Sequence, residues 1–167
     1  MRLSDPASRV FEFPDLLAFR AEAARAGQRV VLTNGCFDLL HRGHLTYLQA
    51  SAELGDLLIV AVNSDASVRE LKGPGRPLNS EADRAYALAC LRCVDAVFVF
   101  PGPRLVGEIA ALRADIYTKA GDYTFETIDR SERAALLAAG TDIRFLPFVA
   151  GHSTTEHLRK LNSPTPP

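Results

Sequence analysis

Two kinds of apolar pattern alternate along this chain. Short unbroken apolar runs occur at "RVVLT" (29–33), "DLLIVAVN" (56–63), "DAVFVF" (95–100), "DIYTK" (115–119) and "DIRFLPF" (142–148). Each is rich in β-branched or aromatic residues and reads as a buried strand. Between them lie stretches whose apolar residues recur at helical spacing. "PDLLAFRAEAARA" (14–26) is alanine-rich, has Pro14 in a first-turn position and stops at Gly27. "GHLTYLQASAEL" (43–54) places Leu45, Leu48 and Ala52 on one face and ends at Gly55. Helices are predicted as well over 65–72, 80–93, about 103–113 and 131–139, and a last one from about Ser153. Strands without alternation are covered on both faces, so the pattern predicts a parallel sheet between two helical layers. The fold class is α/β: a doubly wound, Rossmann-like parallel sheet in three α/β/α layers, with one domain over 1–167 and a loose tail at 163–167.

In such sheets ligands bind beyond the carboxyl ends of the strands, where strand order reverses. Three polar, glycine-containing loops follow strand ends here, at 33–44, 118–125 and 149–155. They are expected to converge on one crevice.

Composition narrows the function. With 167 residues, 47% of them apolar and 23% charged, the chain is in the globular range. A formal net charge of -1 argues against a general grip on nucleic acid, which needs a basic face. No stretch reaches the ~18 apolar residues that cross a bilayer, and the N-terminus has no signal-peptide pattern. Three cysteines, an odd number, make no disulfide framework and fit a reducing cytoplasm. Cys90 and Cys93 form a C-x-x-C near the end of a predicted helix, not at its start, so they read as two small buried residues on an apolar face. Cys36 has no assigned role.

The chemistry concentrates in "LTNGCFDLLHRGH" (32–44). The stretch contains neither G-x-G-x-x-G nor G-x-x-x-x-G-K-[ST], so two common phosphate cradles are absent. Gly35 and Gly43 permit close backbone approach. Gly43 opens a helix whose free first-turn N–H groups make an anion site, and His41 and His44 flank it. Imidazoles there can hydrogen-bond phosphate oxygens and stabilise a five-coordinate phosphorus, an effect worth roughly 2.7–4 kcal/mol per donor. Taken alone, H-x-x-H also fits two locally satisfied helix-start residues, or half of a metal site that lacks its other ligands.

"TNGCFDLLHRGH" resembles the G-x-F-D-x-x-H-x-G-H signature of the nucleotidyltransferase superfamily. "GDLLIVAVNSDASVRELKGPGRPLN", "KAGDY" and "HSTTEHLRKL" follow in order. Together they are similar to the adenylyltransferase domains that act on D-glycero-β-D-manno-heptose 1-phosphate and make ADP-heptose for lipopolysaccharide core assembly. The resemblance covers about residues 14–162 and implies the stand-alone form, without a fused sugar-kinase domain.

The resemblance implies the following roles. His41 and His44 contact the α- and β-phosphates of ATP, with Lys72 as a further catalytic cation. Thr33, Asn34 and Gly35 hold the triphosphate, Phe37 packs beneath the site, Asp38 fixes the loop, and Gly43 opens the helix. Gly121, Asp122 and Tyr123 lie near the nucleotide, although relatives usually read K-G-G-D-Y where Ala120 stands here. Ser153, Thr154 and Thr155 meet the β- and γ-phosphates; Ser153 and Glu156 read equally as a capping box. His152 has no assigned role. Arg76 and Asp65 hold the sugar phosphate, with Arg84 a weaker candidate. No protein metal ligands are implied, but Mg²⁺ accompanies ATP, and a homodimer is expected. A cytidylyltransferase for glycerol 3-phosphate or a related phospho-alcohol, an FMN adenylyltransferase, and a non-catalytic nucleotide-binding regulator are the competing readings.

Overall fold

The computed structural model describes residues 5–121 and 123–147. After a 3₁₀ turn at Pro6–Arg9, the elements run α1 (Phe13–Arg25), β1 (Val30–Gly35), α2 (Arg42–Ala52), β2 (Leu57–Asn63), α3 (Asp65–Lys72) and α4 (Glu81–Ala89). They continue as β3 (Ala96–Phe100), α5 (Val106–Leu112), β4 (Ile116–Ala120), α6 (Arg130–Ala139) and β5 (Asp142–Leu146). The five strands form one sheet in the order β3-β2-β1-β4-β5. Every neighbouring pair is parallel. The order reverses between β1 and β4, which is where a crevice opens in such a sheet.

Alternate strand residues feed two apolar layers. Leu32, Ile59, Phe98 and Tyr117 pack against Leu16 of α1, Ile109 of α5 and Leu136 of α6. On the other side, Val31, Val60, Val62 and Ile116 pack against Leu48 of α2 and Leu88 of α4. Residues 30–32 and 58–62 are wholly inaccessible, as expected of strands covered on both faces. Each buried large aliphatic side chain contributes about 1.5–3 kcal/mol.

The differences from the sequence reading are local. Helix α4 stops at Ala89, not at 93. Cys90 is its C-cap and is exposed, so the expectation of two buried cysteines is wrong for Cys90. The cause is a tight turn, Leu91 N–H to Leu88 O and Val94 N–H to Leu91 O, which drives Val94 into the core ahead of β3. Cys93 is half-buried against the second apolar layer. On α2 the inward face is Gly43, Tyr47, Leu48 and Ser51, while Leu45 is 43% exposed. The predicted last helix, the loop 149–155 and the tail lie outside the described residues.

Candidate functional site

Strand β1 delivers the site. Its last residues, Asn34 and Gly35, pair in register with Ala61 and Val62 of β2. A Cβ at Gly35 would stand 3.0 Å from the Phe37 ring, so only glycine lets that ring fold back over the strand end. Phe37 itself has φ 46, an uncommon left-handed conformation for a bulky residue. It is held there by a ring that is 5% exposed and meets His44 edge-on at 5.3 Å.

Asp38 ties the loop down. It is 2% exposed and accepts the amides of Leu78 (2.7 Å) and Asn79 (3.2 Å). It also pairs with Arg76 at 2.6 Å. Burial disfavours its charge, yet these donors hold its carboxyl below the ordinary range. The same contact occupies Arg76.

His41 is the N-cap of α2, and its Nδ1 accepts the His44 N–H at 3.4 Å. The two imidazoles stack with centroids 3.8 Å apart and planes at 22°. Burial, the nearby His41 ring and Lys72 push the His44 pKa down to about 4. The Leu39 carbonyl pulls the other way, and among the described residues the buried Nδ1 has no hydrogen-bond partner. Protonation of His44 is therefore disfavoured.

Helix α2 is stapled to the switch point by hydroxyls. Tyr47 meets Thr33 (2.7 Å) and Thr118 (3.0 Å), and Ser51 meets Thr118 (3.0 Å). Thr33 is 0% exposed and spent in this cluster. Asn34 Oδ1 accepts both the Tyr117 hydroxyl (2.7 Å) and the Lys119 ammonium (2.6 Å).

These elements surround a cavity of about 930 Å³ at the carboxyl edge of the sheet. Of the sequence-predicted residues, Asn34, Gly35, Phe37, Asp38, His44 and Lys72 line it, as do Gly121 and Tyr123. His41 lies one ring behind His44 and is not part of the lining; Gly43 is buried in the first turn of α2. Asp65 does not line the cavity: its carboxylate pairs with Arg84 at 2.8 Å. Arg84 is 2% exposed and also donates to the carbonyls of Cys36 (2.6 Å), Asn63 (2.8 Å) and Asn79 (3.1 Å). It is a strut behind the motif loop, not a cation facing the cavity. Ala120, in register with Leu146 at the end of β4, also lines the cavity. The left-handed turn falls on Gly121, at φ 92, where glycine is kept. Asp122, Ser153, Thr154 and Thr155 lie outside the described residues.

The far wall was missed in the sequence. Lys119 stood inside "KAGDY" without a role, and its pKa is lowered by burial. Arg104 pairs with Asp129 at 2.8 Å, and Glu132, 4% exposed, accepts the Leu105 amide at 2.9 Å. All four line the cavity. Asp129 also caps α6, accepting the Ser131 and Glu132 amides. The sequence offers only a good N-cap at Asp129 and a mid-helix glutamate, neither of which signals a cavity. Among the described residues no group of three or more His, Cys, Asp or Glu is placed to hold a metal ion, and no helix is long and apolar enough to cross a membrane.

Comparison with known proteins gives three findings. Residues 32–156 match the family described as cytidylyltransferase-like. Proteins named "Bifunctional protein HldE" are similar: that of Syntrophotalea carbinolica is 48% identical over 137 residues, 82% of this chain and 28% of the relative. That of Pelobacter propionicus is 47% identical over 148 residues, covering 88% and 30%. That of Helicobacter pylori strain G27 is 48% identical over 134 residues, covering 80% and 28%. The chain thus spans less than a third of the length of these relatives. A crystal structure of the lipopolysaccharide core biosynthesis protein from Thermoplasma volcanium GSS1 superposes with a TM-score of 0.61 at 27% identity, covering 74% of this chain and 98% of that one.

Proposed function

Because the chain belongs to the cytidylyltransferase-like family, we propose that it is a nucleotidyltransferase that moves AMP from ATP to D-glycero-β-D-manno-heptose 1-phosphate. Pyrophosphate is released, and the product is ADP-heptose for lipopolysaccharide core synthesis. The observation that carries the reading is His44, stacked on His41 at the start of α2 and facing a cavity that also holds Lys72. The similarity to the lipopolysaccharide core biosynthesis protein from Thermoplasma volcanium supports the substrate class.

The acceptor needs no activation, because its phosphate is already ionised. One of its oxygens forms a bond to the α-phosphorus of ATP. The bond from that phosphorus to the bridging oxygen breaks, and the electron pair leaves with pyrophosphate. The chain's work is alignment and charge stabilisation. The first-turn N–H groups of α2 and the His44 ring meet the reacting phosphate, and Lys72 adds charge from α3. Phosphate charge beside His44 would raise its pKa from about 4 and strengthen the ring as a hydrogen-bond donor. In this reading Mg²⁺ arrives on the triphosphate as part of the substrate. Thr33 and Asp38 position the loop from behind. A cytoplasmic enzyme acting as a homodimer fits the same reading.

A mass-spectrometric screen of ATP, CTP and GTP against heptose 1-phosphate, glycerol 3-phosphate and FMN tests it. The ADP-heptose mass is expected. A CDP-linked product would favour the cytidylyltransferase reading, and ATP binding without any coupled product the regulator.

A further inference from the structure

Lys119 is the next-to-last residue of β4, across the switch point from β1. Lys119 lines the cavity. Asn34 Oδ1 takes one of its three donors at 2.6 Å. Among the described residues no carboxylate forms an ion pair with it. The Tyr117 hydroxyl, bonded to the same Asn34 oxygen at 2.7 Å, fixes that anchor in place. Tyr123 lies 5.2 Å from the ammonium through its ring face. The result is a cation held at the cavity wall, on a rigid strand, with no carboxylate paired to it among the described residues and only Glu132 acting on its charge from further off. Such a group is costly to bury unless something negative completes it.

We propose that Lys119 is a further catalytic residue of this site, and that its ammonium grips phosphate charge in the cavity from the β4 side, opposite His44 and Lys72. The proposal rests on the nucleotidyl-transfer reading. It assigns Lys119 no proton transfer. In the substitution at the α-phosphorus it supplies fixed positive charge where two polyanions must approach each other, and its charge is unchanged when pyrophosphate departs. Burial lowers its pKa; Glu132 on α6 and Cys36 after β1 pull it up, and Arg104 before α5 pushes it further down. A bound polyanion would hold it protonated.

The test uses the full chain with Lys119→Met and Lys119→Arg. Titration calorimetry with inorganic pyrophosphate reads the grip, thermal melting reads the fold, and turnover reads catalysis. Lys119→Met is expected to weaken pyrophosphate binding at least about tenfold and to cut turnover about a hundredfold with little change in melting. Lys119→Arg is expected to recover most of the binding. Wild-type affinity for pyrophosphate is expected to fall more steeply than that of Lys119→Arg as pH rises through the lowered lysine pKa. Pyrophosphate affinity unchanged in Lys119→Met would overturn the proposal. So would melting and binding lost together in both variants, since Lys119 would then only brace Asn34. Pyrophosphate held through Lys119 by a wild-type chain that turns over no sugar phosphate would keep the phosphate contact and overturn the transfer reading alone.

Discussion

Replacing Arg84 by methionine separates a strut from a substrate ligand. The guanidinium is 2% exposed and spans four acceptors. Methionine keeps much of the volume and none of the donors. The carbonyls of Cys36 and Asn63, at 2.6 and 2.8 Å from the guanidinium, would be left without it. An interior acceptor deprived of its partner costs about 1–3 kcal/mol. Asp65, with 27% of its side chain exposed, can regain water and adds little. The total is about 2–6 kcal/mol, or on the order of 10 °C of melting temperature for a chain of this size. Urea unfolding followed by circular dichroism measures it, and titration with ATP is done alongside. Arg84→Lys, which delivers a point charge instead of a fork, is expected to recover only part of the loss. A cost under about 1 kcal/mol, together with lost ATP affinity in a stable protein, would refute the buried-strut argument and return Arg84 to the substrate.

The remaining expectations follow from the same contacts. His44→Ala is expected to cut turnover about a hundredfold with the fold intact, checked by initial rates and melting. Leu48→Ala, at a fully inaccessible site on α2, is expected to cost about 2–5 kcal/mol in urea unfolding. The third concerns pH. The folded pKa of His44, about 4, lies below its ordinary 6.5, so the unfolded chain binds the proton first. Its contribution is therefore full above pH 6.5 and declines as pH falls towards 4. Because the ring is only part-buried and water screens it, the loss is about 1–2 kcal/mol, read as the difference between wild type and His44→Gln at pH 7.5 and 5.

Much of this architecture was legible because strands buried on both faces leave unbroken apolar runs. β2, "LLIVAVN", is the clearest case. The motif loop was legible too, since Gly35, Phe37 and His44 lie on one short stretch from the end of β1 to the first turn of α2, and such a local arrangement reveals itself in local sequence. Partners far apart in the chain were not legible. Asp65 and Arg84 are nineteen residues apart and pair with each other. Thr33 vanished into a hydroxyl cluster built by Tyr47, Ser51 and Thr118, which only the packing of α2 on β4 brings together. Glu132 and Arg104 reach the cavity from α6 and the loop before α5, where spacing gives no hint of a shared wall. Cys90 came out exposed because the turn after α4 serves Val94, a demand of β3 that a helical periodicity cannot show.

The central claim is that substitution occurs at the α-phosphorus of the nucleotide, beside His44. Phosphorus NMR of a reaction containing ATP, Mg²⁺ and D-glycero-β-D-manno-heptose 1-phosphate tests it directly. The account predicts that the ATP signals are replaced by those of pyrophosphate and of a nucleotide diphosphosugar, and that His44→Ala leaves them almost unchanged over the same period. Appearance of ADP with a doubly phosphorylated sugar, which requires attack at the γ-phosphorus, or ATP left intact by the wild-type protein, would contradict it.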